Sequence, residues 1–216
     1  MTARDAAPSP RTRLQRHPER GSHERARVRD ILDQGLVAHV GLAGPEGPFV
    51  LPMAYARVAD ELVLHGSRGS RLMQELASGA PVCVTVTLVD GLVIARSAFR
   101  CSMNYRSVVV FGRARSVDGA DEKRRLLDLF VRRLTLGVSP RAASDEELAA
   151  TAVVALELTE SSAKLRSGGP RDLPGDLESN TWAGEVPLRV VQLAPRAEPD
   201  VPQTAIPPLL SDGLAG

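Results

Sequence analysis

A chain of 216 residues is long enough for one domain with tails and little more. With 27 Lys and Arg against 26 Asp and Glu the formal net charge is +1, so no general basic field gathers nucleic acid, and aromatics at 3% leave few base-stacking surfaces. No apolar stretch is long enough to span a membrane and the N-terminus has no apolar secretion core, so the expectation is a cytoplasmic protein without a membrane or nucleic-acid partner.

Residues 1–21 are rich in Pro, Ser and Arg and lack apolar periodicity, which predicts a flexible arm; 22–193 form the domain, and the Pro-rich 194–216 a disordered tail. Ser22 and the spacing of Val28, Ile31 and Leu32 predict a helix over 23–34, stopped by Gly35. Strands follow at 36–42, 49–58 and 61–65, the first two joined by the tight turn Gly44-Pro45-Glu46-Gly47. Pro52 removes a ladder donor from the second strand and predicts an edge or a bulge, where something other than protein can pair with the backbone. The third strand runs into His65-Gly66-Ser67-Arg68-Gly69-Ser70-Arg71, which opens a helix over 70–78. Free N–H groups, hydroxyls and guanidinium groups at a helix N-terminus suit a phosphate; the same composition also suits a solvated turn.

Val82 to Val89 is β-branched and reads as a strand, with Asp90-Gly91 turning into another at 92–96. A long strand is expected over 105–117, bent at Gly112. In the helix over 121–136, Leu126, Leu127, Phe130 and Leu134 share one face; Lys123, Arg124, Arg132 and Arg133 share the other, read as solvated. Ser144 to Glu147 starts a shorter helix, Val153 to Thr159 is a last core strand continuing through 163–165, and Trp182 to Leu188 closes the domain. Six or more strands, mostly antiparallel, with short helices make a mainly β, barrel-like domain. Without β-α-β alternation or G-x-G-x-x-G, a dinucleotide-binding α/β fold is disfavoured.

Neither G-x-S-x-G nor H-E-x-x-H occurs, and Cys83 and Cys101 lack a C-x-x-C or Cys/His cluster, so they read as reduced thiols with no metal site. Among the four histidines, His39 reads as a packed or edge residue; His65, at the mouth of the Ser/Arg loop, is the only candidate catalyst, and a structural hydrogen bond is its other reading. Such sparse side-chain chemistry suggests that a cofactor does the hard work. Arg96, Ser102, Asn104, Tyr105, Arg106 and Ser107 form a polar cluster that either lines a pocket or is a solvated loop.

The succession Pro52-Met53, then Leu64-His65-Gly66-Ser67-Arg68-Gly69-Ser70-Arg71-Leu72, then Pro81-Val82-Cys83-Val84-Thr85, then Arg96-Ser97-Ala98-Phe99, then Ser102 to Gly112 resembles the flavin-nucleotide-binding proteins related to pyridoxamine 5′-phosphate oxidase, within a nitroimidazole-reductase-like branch. The likeness extends from Arg13 to Leu193. It implies a six-stranded FMN-binding split β-barrel and a homodimer with FMN at the subunit interface. By position it implies phosphate contacts from Ser67, Ser70 and Arg71 with Arg68 behind them, and His65 beside the ribityl chain and ring. Pro52 and Met53 fall at the flavin edge, Ser107 and the cluster of Arg96 toward the cofactor, and Trp182 and Arg189 near it. The Arg-x-His element that grips the oxidase's own substrate is missing from Leu188-Arg189-Val190-Val191, so strict oxidase activity is not implied. The implied activity is electron transfer from NAD(P)H to a small-molecule acceptor. The alternatives are heme or a deazaflavin (F420) in the same barrel, and a non-catalytic sensor or carrier.

Overall fold

The computed structural model describes residues 7–136 and 138–201. The first strands and helix are β1 (Gly21–Ser22), α1 (Arg25–Gln34), β2 (Val37–Gly44), β3 (Gly47–Ala54), β4 (Ala56–Val58), β5 (Glu61–Ser67) and α2 (Arg71–Ala77). There follow β6 (Pro81–Ile94), β7 (Ser102–Arg113), β8 (Arg115–Ser116), α3 (Ala120–Leu134), α4 (Asp145–Ala150), β9 (Thr151–Glu157), β10 (Ser161–Arg166) and β11 (Gly184–Pro187). Two antiparallel sheets share them. The larger has the order β1-β10-β7-β6-β2-β3, with β11 also on β6; the smaller has the order β4-β5-β9-β8. This mainly β, split-barrel architecture is the one expected from the sequence, and the short β1, β4, β8 and β11 raise the strand count above six.

Alternation explains which faces meet. Val40, Leu42, Val82, Val84, Val86, Val108 and Val110 point from the large sheet into the core, and Leu62, Leu64, Val154 and Leu156 answer from the small one. Val28, Ile31 and Leu32 of α1 and Leu72, Met73 and Leu76 of α2 close its open ends. The small sheet is buried on its other face too: Val63, Val117, Val153 and Ala155 pack with Leu126 of α3. That is why β5 reads as an unbroken apolar run, since a strand covered on both faces has no polar side.

The chain changes sheets at buried points. Tyr55, between β3 and β4, is fully buried and its hydroxyl donates to the Leu32 carbonyl at 2.6 Å. Burial pushes its pKa up to about 12, so it stays a donor. Pro52 and Pro48 both lie in β3, at the sheet edge, where a missing N–H costs no ladder bond.

Four expectations differ from the structure. Asp90-Gly91 is not a turn: β6 is continuous and the register shifts between Val89 and Gly91, a bulge over which β11 lies. The last core strand is two strands in different sheets, β9 pairing β5 and β10 pairing β7, because the chain turns at 158–160. Of the arm expected to be flexible over 1–21, residues 9–21 are docked: Thr12 is buried, Arg11 pairs with Glu160 and lies 4.9 Å over the Phe111 ring, and Gly21 enters β1, which adds to β10. Finally, Arg133 is not solvated; it donates to the Leu32 and Gly35 carbonyls at the end of α1. Of the expected tail, 202–216 lie outside the described residues.

Candidate functional site

β5 sends alternate side chains to opposite faces of the small sheet. His65 points with Val63 toward α3, where its ring meets Phe130 edge-on with centroids 4.3 Å apart. Its Nδ1 is buried without a hydrogen-bond partner, and burial lowers its pKa, so the imidazole is neutral near pH 7. The next residue, Gly66, faces the other way. A Cβ there would stand 2.9 Å from Met73 Cγ and 3.9 Å from Met53 Cε, so its missing side chain lets β3, β5 and α2 converge.

The loop is fixed by its own backbone. Arg68 N donates to Ala150 O at 2.9 Å, Ser70 N to Ser67 O at 2.9 Å, and Gly69 N to the Ser67 hydroxyl at 3.3 Å. Ser70 occupies the N-cap position of α2 but makes no capping bond, and the first turn has no acidic residue. Arg71 leans onto the β2–β3 hairpin. Its guanidinium lies 5.2 Å over the Phe49 ring, and one of its nitrogens is 2.6 Å from where a Gly44 Cβ would be. The hairpin turn that holds it is the expected one, with Gly47 at φ +115°. The nearest carboxylate, Glu46, is 3.5 Å away and 88% exposed, a weak restraint on the charge. Met53 is half-buried against the core, and Pro52 is exposed at the sheet edge.

Thus Met53, Gly66, Ser70 and Arg71 are brought to one corner, with His65 behind the same strand and Ser67 in the loop. The other expected residues lie elsewhere in the chain. Ser107 sits on the outer face of β7, donating to Lys164 O at 3.3 Å; β7 is three strands from β3, about 14 Å at ordinary strand spacing. Arg96 is committed to Asp172, through its side chain at 2.8 Å and its backbone N–H at 3.0 Å. Trp182 is 61% exposed, its ring closing over Gly184. Around them Asn104 donates to Glu185 at 2.6 Å and accepts from Arg166, and Arg106 holds Asp90 in a two-pronged pair at 2.7 and 2.9 Å.

Phe49 and Gly44 belong to the corner and Phe130 backs His65; the turn and the helix that carry Gly44 and Phe130 are read from the sequence, but these contacts join elements distant in the chain. Across the outer face of the large sheet, Val37 and Val50 are exposed, and His39 stands between Pro52 and Thr85 in the register. Among the described residues no group of three metal ligands occurs, and no helix is long and apolar enough to cross a membrane.

A family model described as pyridoxamine 5′-phosphate oxidase matches residues 24–165. The flavocytochrome Anf3 from Azotobacter vinelandii is 36% identical with a TM-score of 0.88, over 97% of this chain and 99% of that one. The FAD and heme binding protein from Mycobacterium smegmatis is 40% identical with a TM-score of 0.85, over 90% of this chain and 97% of that one. A protein described as a 5-nitroimidazole antibiotic resistance protein from Bacteroides thetaiotaomicron, 24% identical with a TM-score of 0.57 over 67% of this chain and 85% of that one, shares the fold. No curated protein matches.

Proposed function

Because the chain belongs to the pyridoxamine 5′-phosphate oxidase family, we propose that it binds a flavin nucleotide and works as a flavin-dependent oxidoreductase, taking electrons from NAD(P)H to a small-molecule acceptor. The observation that carries this is the clasped Arg71: a guanidinium held over Phe49 beside an uncapped Ser70, with only an exposed carboxylate near it. Such a group gains most from an anion, and the donors around it fit a flavin phosphate. The side-chain-free Gly66, on the same face, fits the same group.

A bound flavin supplies hydride and single-electron transfer; the protein supplies position. Arg71, Ser70 and Ser67 hold the phosphate end. The exposed edge strand at Pro52-Met53-Ala54 would carry the ring, offering backbone groups that no neighbouring strand pairs. The second wall comes from a homodimer, which covers the exposed outer face around Val37 and Val50 and brings the partner's outer β7 face toward the flavin. Neutral His65, turned toward α3, backs the strand through Phe130 and exchanges no proton.

FMN is the nucleotide the sequence likeness implies, whereas the two relatives above 35% identity are named as a flavocytochrome and as a FAD and heme binding protein. Those names, together with the exposed imidazole of His39, favour heme beside the flavin as the second reading. An absorption spectrum of the natively purified protein with chromatography of the released cofactor tests both. Two visible flavin bands support the proposal, an added Soret band supports the second reading, and a protein that takes up neither FMN nor FAD overturns the first. NAD(P)H consumption no faster than free flavin gives would reduce it to a binding module.

A further inference from the structure

On the side of the loop away from the hairpin, α2, β9 and the start of α3 enclose a cavity of about 430 Å³. Arg68 and Lys123 line it, with Asp118 and Ser116 between β8 and α3 and a floor that includes Met73, Ala77 and Val153. Arg29, Arg57, Arg96, Arg106, Arg115 and Arg141 each hold a carboxylate. Arg68 and Lys123 differ. Neither side chain makes a hydrogen bond or ion pair among the described residues, and the two cations share one cavity. Burial lowers the Lys123 pKa and the charge of Arg68 lowers it further, while Asp118 opposes this. Asp118 itself takes the Ser116 hydroxyl at 2.8 Å.

Two cations and one carboxylate leave the recess with an excess positive charge, and an anion between Arg68 and Lys123 would relieve their mutual repulsion. The space is much larger than one phosphate, and beyond the cations Gln74, Ser78 and Thr151 line it with hydrogen-bonding groups that suit a sugar or base. We propose that this cavity binds a phosphorylated nucleotide, its phosphate between Arg68 and Lys123. Arg68 therefore serves this recess and not the face of Arg71. The inference does not rest on the flavin reading, since Lys123 takes no part in it.

Isothermal titration of ADP and of inorganic phosphate into the full-length protein as purified tests this. ADP should bind, more tightly than phosphate, and Lys123→Gln and Arg68→Gln should each weaken it about tenfold, with the same thermal midpoint as the parent. The flavin spectrum of Lys123→Gln should be unchanged. No ADP binding by the parent, or equal ADP affinity in both variants, overturns the proposal; phosphate binding as tightly as ADP overturns its nucleotide part. A flavin-free parent that still binds ADP at this recess would sink the flavin reading and leave this one standing.

Discussion

Two regions of this protein are rich in arginine and serine, and they behave oppositely. Around Asn104 three cations are occupied: Arg96 by Asp172, Arg106 by Asp90, Arg166 by Asn104 and the carbonyls of Gly168 and Gly169. Asp172 is 3% exposed, so this pair fastens the loop before β11 to the end of β6. In the loop after β5, Arg71 has an aromatic platform and only an exposed carboxylate at 3.5 Å, and the Arg68 side chain has no partner among the described residues. The same residue types hold structure where carboxylates are supplied within the chain and stay available where they are not.

Substitutions should separate these roles. Arg71→Ala should weaken flavin binding about 10- to 100-fold, roughly 1.4–2.7 kcal/mol, with little change in unfolding free energy. Flavin fluorescence titration and urea unfolding measure the two, and parental affinity would erase the contrast. Arg96→Ala should do the reverse: about 2 kcal/mol of stability is lost because the buried Asp172 carboxylate is left unpaired, and flavin affinity holds. Weaker flavin binding at unchanged stability would return Arg96 to the cofactor site.

Acid sharpens the comparison with smaller effects. The His65 pKa lies below its ordinary 6.5, so the unfolded chain takes the proton first as pH falls. Its contribution is therefore intact above 6.5 and lost below it, and His65→Gln should flatten the stability–pH curve measured by urea unfolding across that value. Smallest is the release of the N-terminal stretch. The Arg11 guanidinium holds Glu160 down to about 2, so the contact weakens only as pH falls from 4.5 toward that value. Pepsin should then cut near Arg11 before the domain unfolds, and Glu160→Gln should expose the same bond in milder acid.

Much of the fold was legible in the chain. The alternation of Val82 to Val86, the helical spacing of Val28, Ile31 and Leu32, the Pro45-Glu46 hairpin turn and the edge position of Pro52 all follow from local chemistry and appear where expected. Strand boundaries at 90–91 and 158–160 were not, because a bulge and a turn have similar local composition and only the partner strand distinguishes them. Docking of 9–21 was hidden too: its low apolar content predicted freedom, but Thr12 is buried and Arg11 is held by Phe111 and Glu160 from distant parts of the chain.

For the Ser/Arg loop, the sequence by itself determined the donors, their order after an apolar strand and the family likeness. Tertiary structure alone decided how they divide. Arg71 turns onto Phe49 and Gly44, Arg68 turns into the recess with Lys123, and Arg96 is taken by Asp172. A guanidinium looks the same along the chain wherever it stands. What makes it a binding group or a brace is the charge and shape that folding sets beside it, and those come from residues tens of positions away.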